Sequence, residues 1–295
     1  MERLTIAGIQ HACGPDRAAN EATAFAMARL ARERGATLIC FQELFGAIYF
    51  PQRPGASEYF GWAEPIPGPA TERLGALARE LGATLIGSIF ERAMGGLFYD
   101  CAVVIAPDGS LAGKWRKMHI PDGSGYFEKY YFTPGDTDYP VFAIGAGADA
   151  ATGDALRLAV PTCWDQWFPE VARICALRGA DLICYPTAIG SELDPALAGA
   201  DTEEAWRTVM RGHAIANCVY VVAVNRVGKE GEIAFYGGSF VADPTGEVVA
   251  RLDDRPGILL ATIDPARLEF ARRLSPFWRD RRPETYGTIL TKGGR

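Results

Sequence analysis

The sequence predicts an α/β fold with mixed sheets, in one domain spanning residues 1–295, and three observations predict it. A unit of helix end, glycine and apolar strand occurs three times, as Arg34-Gly35-Ala36-Thr37-Leu38-Ile39, Leu81-Gly82-Ala83-Thr84-Leu85-Ile86 and Arg178-Gly179-Ala180-Asp181-Leu182-Ile183. In each, the glycine suits the left-handed C′ position that closes a helix before a buried strand begins. Two other stretches read as hairpins, with apolar runs flanking Pro107-Asp108-Gly109 and Asp243-Pro244-Thr245-Gly246. Finally, Gly and Pro are spread through short turns rather than gathered in a linker tract. Helix-to-strand units favour parallel pairing and hairpins are antiparallel, so together they give mixed sheets. Two apolar sheets with helices outside make a four-layer α-β-β-α sandwich, although a three-layer fold satisfies the same pattern.

The elements follow in order. Residues Thr5-Ile6-Ala7 open a first strand directly after Met1, without the charged and apolar sections of a signal peptide, so a cytoplasmic location is expected. Ala-, Leu- and Arg-rich segments predict helices over about Arg17 to Arg34, Ala70 to Leu81 and Pro169 to Arg178. Apolar runs predict strands from Leu38, over Ala102 to Ile105 paired with Leu111 to Lys114, up to Thr162, and from Leu182. A helix over Thr202 to Asn217 opens with Asp201-Thr202-Glu203-Glu204, acids suited to a helix N-terminus.

Composition narrows the function. Lys and Arg number 30 against 36 Asp and Glu, a net charge of −6 that disfavours nucleic acid as a partner. Apolar runs such as Cys218 to Val224 fall far short of the roughly 20 residues of a membrane span. The seven cysteines include no C-x-x-C pair and the three histidines form no ligand pair, so no metal site is expected.

One cysteine stands apart. In Val160-Pro161-Thr162-Cys163-Trp164-Asp165-Gln166-Trp167-Phe168-Pro169-Glu170 the strand ends, Cys163 falls on the turn, and Pro169-Glu170 starts a helix. A thiol there lies near a helix N-terminus, which favours thiolate and offers backbone N–H groups to an oxyanion. His119 and His213 are possible bases, though His213, spaced with Trp206 and Met210 on one helix, also reads as a packed core residue. Glu43, at the end of Leu38-Ile39-Cys40-Phe41-Gln42, and Lys117, after the strand from Leu111 to Trp115, are charges at strand ends that must face a cleft or a partner.

The ordered set Phe41-Gln42-Glu43-Leu44-Phe45, Arg116-Lys117-Met118-His119-Ile120-Pro121-Asp122-Gly123 and Thr162-Cys163-Trp164-Asp165-Gln166-Trp167-Phe168-Pro169-Glu170 resembles the nitrilase superfamily of carbon-nitrogen hydrolases. Further blocks extend it almost end to end, among them Glu128-Lys129-Tyr130-Tyr131-Phe132 and Phe235-Tyr236-Gly237-Gly238-Ser239-Phe240. The resemblance implies the α-β-β-α sandwich, a Glu43-Lys117-Cys163 triad, Glu128 as a second active-site acid, no cofactor and a homo-oligomer contacted through the C-terminal residues 271–295. Two positions depart from the pattern: Pro161-Thr162 before the cysteine, and Asp100 where Asn is expected.

The Trp-Asp-Gln-Trp-Phe-Pro-Glu and Ala-Ile-Gly-Ser-Glu blocks look most like the branch acting on N-carbamoylputrescine, a small carbamoyl amine. Near Cys163 no Arg or Lys occurs before Arg173, whereas a substrate carboxylate calls for one. Trp164, Trp167 and Tyr126 offer aromatic walls and Glu192 an acid for a cationic tail, with Glu128 and Asp165 as other acids in reach. The alternatives are a β-ureidopropionase or ω-amidase, or a noncatalytic binding member.

Overall fold

The computed structural model describes residues 2–123, 125–144, 155–197 and 199–293. In its first half the strands are β1 (Leu4–Gln10), β2 (Leu38–Phe41), β3 (Thr84–Met94), β4 (Leu97–Ile105) and β5 (Leu111–Arg116), followed by a short ribbon of β6 (Asp122–Gly123) and β7 (Tyr126–Phe127). The second half holds β8 (Phe142–Ile144), β9 (Leu156–Ala159), β10 (Leu182–Pro186), β11 (Tyr220–Val224), the hairpin β12 (Val227–Glu230) and β13 (Ile233–Tyr236), β14 (Phe240–Ala242), β15 (Val248–Arg251) and β16 (Gly257–Ile263). The helices are α1 (Arg17–Glu33), α2 (Pro69–Leu81), α3 (Pro169–Leu177), α4 (Thr202–Asn217) and α5 (Pro265–Leu274).

Two six-stranded sheets result, ordered β16-β1-β2-β3-β4-β5 and β15-β14-β11-β10-β9-β8. Each has three parallel strands at its centre, produced by the helix-to-strand units, and antiparallel strands outside them. Alternation sends Ala7, Ile39, Leu85 and Val103 to the face covered by Ala24 and Ala28 of α1 and Leu74 and Leu77 of α2. The other face, with Ile6, Leu38, Cys40 and Val104, packs against Leu158, Leu182, Cys184, Val222 and Val224 of the second sheet. Val171 and Cys175 of α3 and Trp206 and Met210 of α4 close the far side. Four layers are therefore present, and the three-layer alternative falls away. Gly8 lets the sheets meet: a Cβ there would lie 2.9 Å from Val224 Cγ2.

Several sequence expectations need adjusting. Gly35 and Gly179 follow caps at Arg34 and Arg178 with φ of 93°, as a C′ glycine does, but Gly82 is itself the left-handed cap of α2. The strand before Cys163 stops at Ala159 rather than Thr162, because Pro161 has no N–H to give to a ladder. Residues 271–274 of the C-terminal tail belong to α5, with Ala271 buried. The hairpin linking β3 to β4 through Gly95-Gly96 was not singled out from sequence. None of the described helices is long and apolar enough to cross a membrane.

Candidate active site

Glu43 and Lys117 sit just past strand ends and Cys163 on the turn that follows β9, each held by contacts distant in sequence. Glu43 leaves β2 after four buried residues, and its carbonyl accepts from Arg226 Nη2 at 2.7 Å. The same nitrogen reaches the Leu44 carbonyl at 3.2 Å, while Arg226 Nη1 donates to Glu230 Oε1 at 2.7 Å. Leu44 has φ of 48° and its N–H donates to Ser88 Oγ at 2.9 Å. A buried ion pair and a hydroxyl thus fix the left-handed turn that aims Glu43. Lys117 leaves β5, its N–H donating to the Asp100 carbonyl at 2.9 Å.

Cys163 has φ of 40° and begins a five-residue 3-10 turn, Cys163–Trp167, that precedes α3. Asp165 joins this turn to the Lys117 loop. Its carboxylate accepts from Thr162 N (3.2 Å), Trp115 Nε1 (2.9 Å) and His119 N (2.9 Å), and contacts His119 Nδ1 at 2.8 Å. Asp165 is therefore fully engaged and is not available to a substrate cation, contrary to the sequence expectation.

At the centre, Lys117 Nζ lies 2.8 Å from Glu43 Oε1, 2.6 Å from Glu128 Oε2 and 3.5 Å from Asp100 Oδ2. All four side chains are buried. Tyr49 Oη donates to the other Glu128 oxygen at 2.6 Å, so Glu128 too is consumed inside the cluster. Glu43 Oε2 has no hydrogen-bond partner. Glu43, Asp100 and Glu128 have ligand oxygens within 4.8 Å of one another, the one acid group among the described residues with metal-like spacing, but the Lys117 ammonium already contacts all three.

Burial dominates the electrostatics. It pushes the Glu43 carboxyl well above its usual range, Lys117 opposes, and Asp100 and Glu128 add to the rise. Glu128 is raised by burial likewise, against the pull of Lys117. For Lys117 burial alone acts downward, but Glu128 and Glu43 overcome it and hold the ammonium well above the ordinary lysine range. Cys163 is a correction: burial and Glu43 push its thiol well up, outweighing Lys117, so the expected ground-state preference for thiolate is not found. A short 3-10 turn supplies little dipole to set against burial.

A cleft of about 340 Å³ leads to Cys163. Tyr126, Trp164 and Trp167 line it, with Asp122 and Glu192 as its acids and no Lys or Arg among its described lining residues. Tyr126 Oη accepts from Gly190 N at 3.0 Å, and Glu192 Oε1 accepts from Leu193 N at 2.8 Å and Asp194 N at 3.0 Å. The site thus gathers Glu43, Lys117, Cys163 and Glu128 in one place and Trp164, Glu192 and Tyr126 around its mouth. Both histidine candidates are structural. His213 Nε2 pairs with the Gln166 carbonyl at 2.9 Å, and His119 stacks on Phe168 at 3.7 Å. Sequence reasoning missed Arg226, Tyr49 and Asp122; a charge two residues past the apolar run of β11 was the available signal for Arg226.

The sandwich and the buried lysine-carboxylate cluster beside a cleft cysteine define an amide-hydrolysing enzyme. The chain belongs to the carbon-nitrogen hydrolase family, whose profile matches residues 3–273. It is 45% identical to an N-carbamoylputrescine amidase of Solanum lycopersicum, over 99% of this chain and 96% of the relative. A citrullinase of Francisella tularensis subsp. tularensis is 40% identical over 99% and 100% of the two chains. Among solved structures, a carbon-nitrogen hydrolase from Helicobacter pylori G27 superposes with a TM-score of 0.89 at 38% identity, covering 98% of this chain and 99% of that one. The resemblance read from the sequence and the four-layer fold are both borne out.

Proposed function

We propose that the chain hydrolyses N-carbamoylputrescine to putrescine, ammonia and carbon dioxide through a covalent intermediate on Cys163. The observation that carries the substrate assignment is the cleft: two acids, three aromatic rings and no described basic residue suit a cationic amine and repel a carboxylate. The name borne by the tomato relative agrees with it.

Glu43 takes the Cys163 proton as sulfur attacks the carbamoyl carbon, and returns it to the departing NH₂ group, which leaves as ammonia. Its unpartnered Oε2 is free to accept that proton, and its raised proton affinity makes it a base strong enough for a thiol that burial has weakened as an acid. The Lys117 ammonium and the Trp164 backbone N–H stabilise the tetrahedral oxyanion. Water, deprotonated by Glu43, then attacks the carbamoyl-enzyme; the thiol regains its proton, and the released carbamic acid splits into amine and carbon dioxide. Glu128, fixed by Tyr49, holds Lys117 in place. None of these steps calls for a cofactor.

The reading includes self-association, in the cytoplasm, through residues 271–295. There Leu274, Ile289 and Leu290 are 65%, 63% and 86% exposed, an apolar set suited to a second copy. Light scattering that finds only monomer would refute this part. The substrate test is ammonia release from N-carbamoylputrescine, citrulline, N-carbamoyl-β-alanine and an ω-amide at matched concentration. N-carbamoylputrescine should give the highest kcat/KM; a higher value for any carboxylate-bearing compound overturns the assignment.

A further inference from the structure

Lys117 faces more acid than its one charge can balance. Glu43 and Glu128 already take two of its N–H groups at 2.8 and 2.6 Å, yet Asp100, fully buried on β4, turns a third carboxyl toward it at 3.5 Å. Asp100 Oδ1 accepts from Ser88 Oγ at 3.2 Å, while Oδ2 has no hydrogen-bond partner. Its carboxyl lies within 4.8 Å of Glu43, whose Oε2 also lacks one. Gathering a third acid around one ammonium at zero exposure is costly for folding, and the Lys117 ammonium needs only one counter-charge.

We propose that Asp100 is a positioning residue that acts through Glu43: its carboxylate sets a second negative charge beside the base and strengthens it as a proton acceptor. The inference rests on the assignment of Glu43 as the base. Two contacts hold Asp100 in this role. Its carbonyl accepts the Lys117 N–H at 2.9 Å, and Ser88, which also receives the Leu44 N–H, ties its side chain to the turn that carries Glu43. Lys117, Glu43 and Glu128 face it from the other strand ends, with Cys163 beyond them on the second sheet. Cys101, its neighbour on β4, points to the opposite face of the sheet. On the far side of Ser88 a small cavity bears Arg17, Glu21, Glu64 and Arg73, of which Arg73 pairs with both acids and Arg17 with Glu64.

Asp100→Asn is isosteric, can keep the Ser88 contact through Oδ1, and exchanges the charged Oδ2 for a neutral amide N–H donor, a change that also favours the ionised form of Glu43. A unit charge within 4.8 Å, at an effective dielectric of about 20, moves a neighbouring acid by a pH unit or more. The acid limb of kcat/KM should therefore shift down by at least one unit in D100N. Its plateau should fall about three-fold, because a weaker base transfers the proton more slowly. The two profiles then cross, with the variant faster at acid pH, which a merely structural role cannot produce. The midpoint of the Glu43 carboxyl band, read by infrared difference against E43Q without substrate, should shift the same way. An unmoved limb and midpoint in folded D100N overturn the proposal. If E43Q kept full activity while the midpoint still shifted, the assignment of Glu43 as base would have failed, not the influence of Asp100 on it.

Discussion

Replacing Arg226 tests how the site is held. Its guanidinium is buried, pairs with Glu230 at 2.7 Å, and reaches the carbonyls of Glu43 and Leu44 at 2.7 and 3.2 Å. Arg226→Met fits the volume but leaves Glu230 as a buried charge without its cation. Removing one partner of a buried pair costs about 3 to 5 kcal/mol, or two to three and a half decades in the folding equilibrium. Activity should fall as well, by about 10- to 100-fold, since a misplaced base loses much of what orientation supplies. The double variant R226M/E230Q separates the two effects. The amide that then stands in place of the Glu230 carboxylate carries no charge and can still accept from the Tyr49 N–H, so stability in urea should return to within about 2 kcal/mol of the parent. Turnover should stay low, because nothing then holds the Glu43 carbonyl. If the double variant recovers both, Arg226 is only a counter-ion; if R226M alone loses under about 1 kcal/mol, the pair is not solvent-excluded as the structure has it.

Cys163→Ala should abolish turnover and leave the circular dichroism spectrum unchanged; residual wild-type activity would refute the nucleophile. Glu43→Gln should lose nearly as much activity but be at least as stable as the parent at neutral pH. Its carboxyl is raised in the folded chain, so it contributes stability below the ordinary carboxylate range that is lost as pH rises through the folded value, and the amide removes that loss. Lower stability of E43Q in denaturant would contradict the excess of acid around Lys117. Lys117→Arg should fail in turnover, because a planar guanidinium does not fit a fully enclosed site shaped for a compact ammonium. Glu192→Gln should raise KM for N-carbamoylputrescine about 10-fold with little change in kcat, the low end for a charged contact because Glu192 is half-exposed and Asp122 lines the same cleft. Equal loss on a neutral carbamoyl alkylamine would show that Glu192 only shapes its loop.

The parts of the molecule that were legible in sequence are those whose cause is local. Glycines 35, 82 and 179 announced helix ends because left-handed backbone is a property of single residues, and the hairpin at Asp243-Pro244-Thr245-Gly246 followed from its turn residues. Glu43, Lys117 and Cys163 could be grouped only through the family resemblance, since each alone is an ordinary charge or thiol, and the structure brings the three together. What sequence could not show was partnership at long range. Asp165 lies two residues from Cys163, yet the groups that occupy it are Trp115, Met118 and His119. Asp100 was visible as a departure, but its meaning depends on Ser88, Glu43 and Glu128, which three other segments bring to it. The thiol departs from the expected preference for thiolate for a related reason: its proton affinity is set by the packed surroundings, not by the turn that carries the sulfur.

Glu43 and Lys117 are carried by the first sheet and Cys163 by the second, with Asp165 pinned across the gap between them. How the proposed nucleophile and base meet therefore depends on how closely the two sheets pack, which is set by side chains far from either group. Gly8 stands at that seam, where even a methyl group would press on Val224. A core substitution there would shift one sheet against the other, and with it the groups that each sheet carries, without altering any residue that lines the cleft.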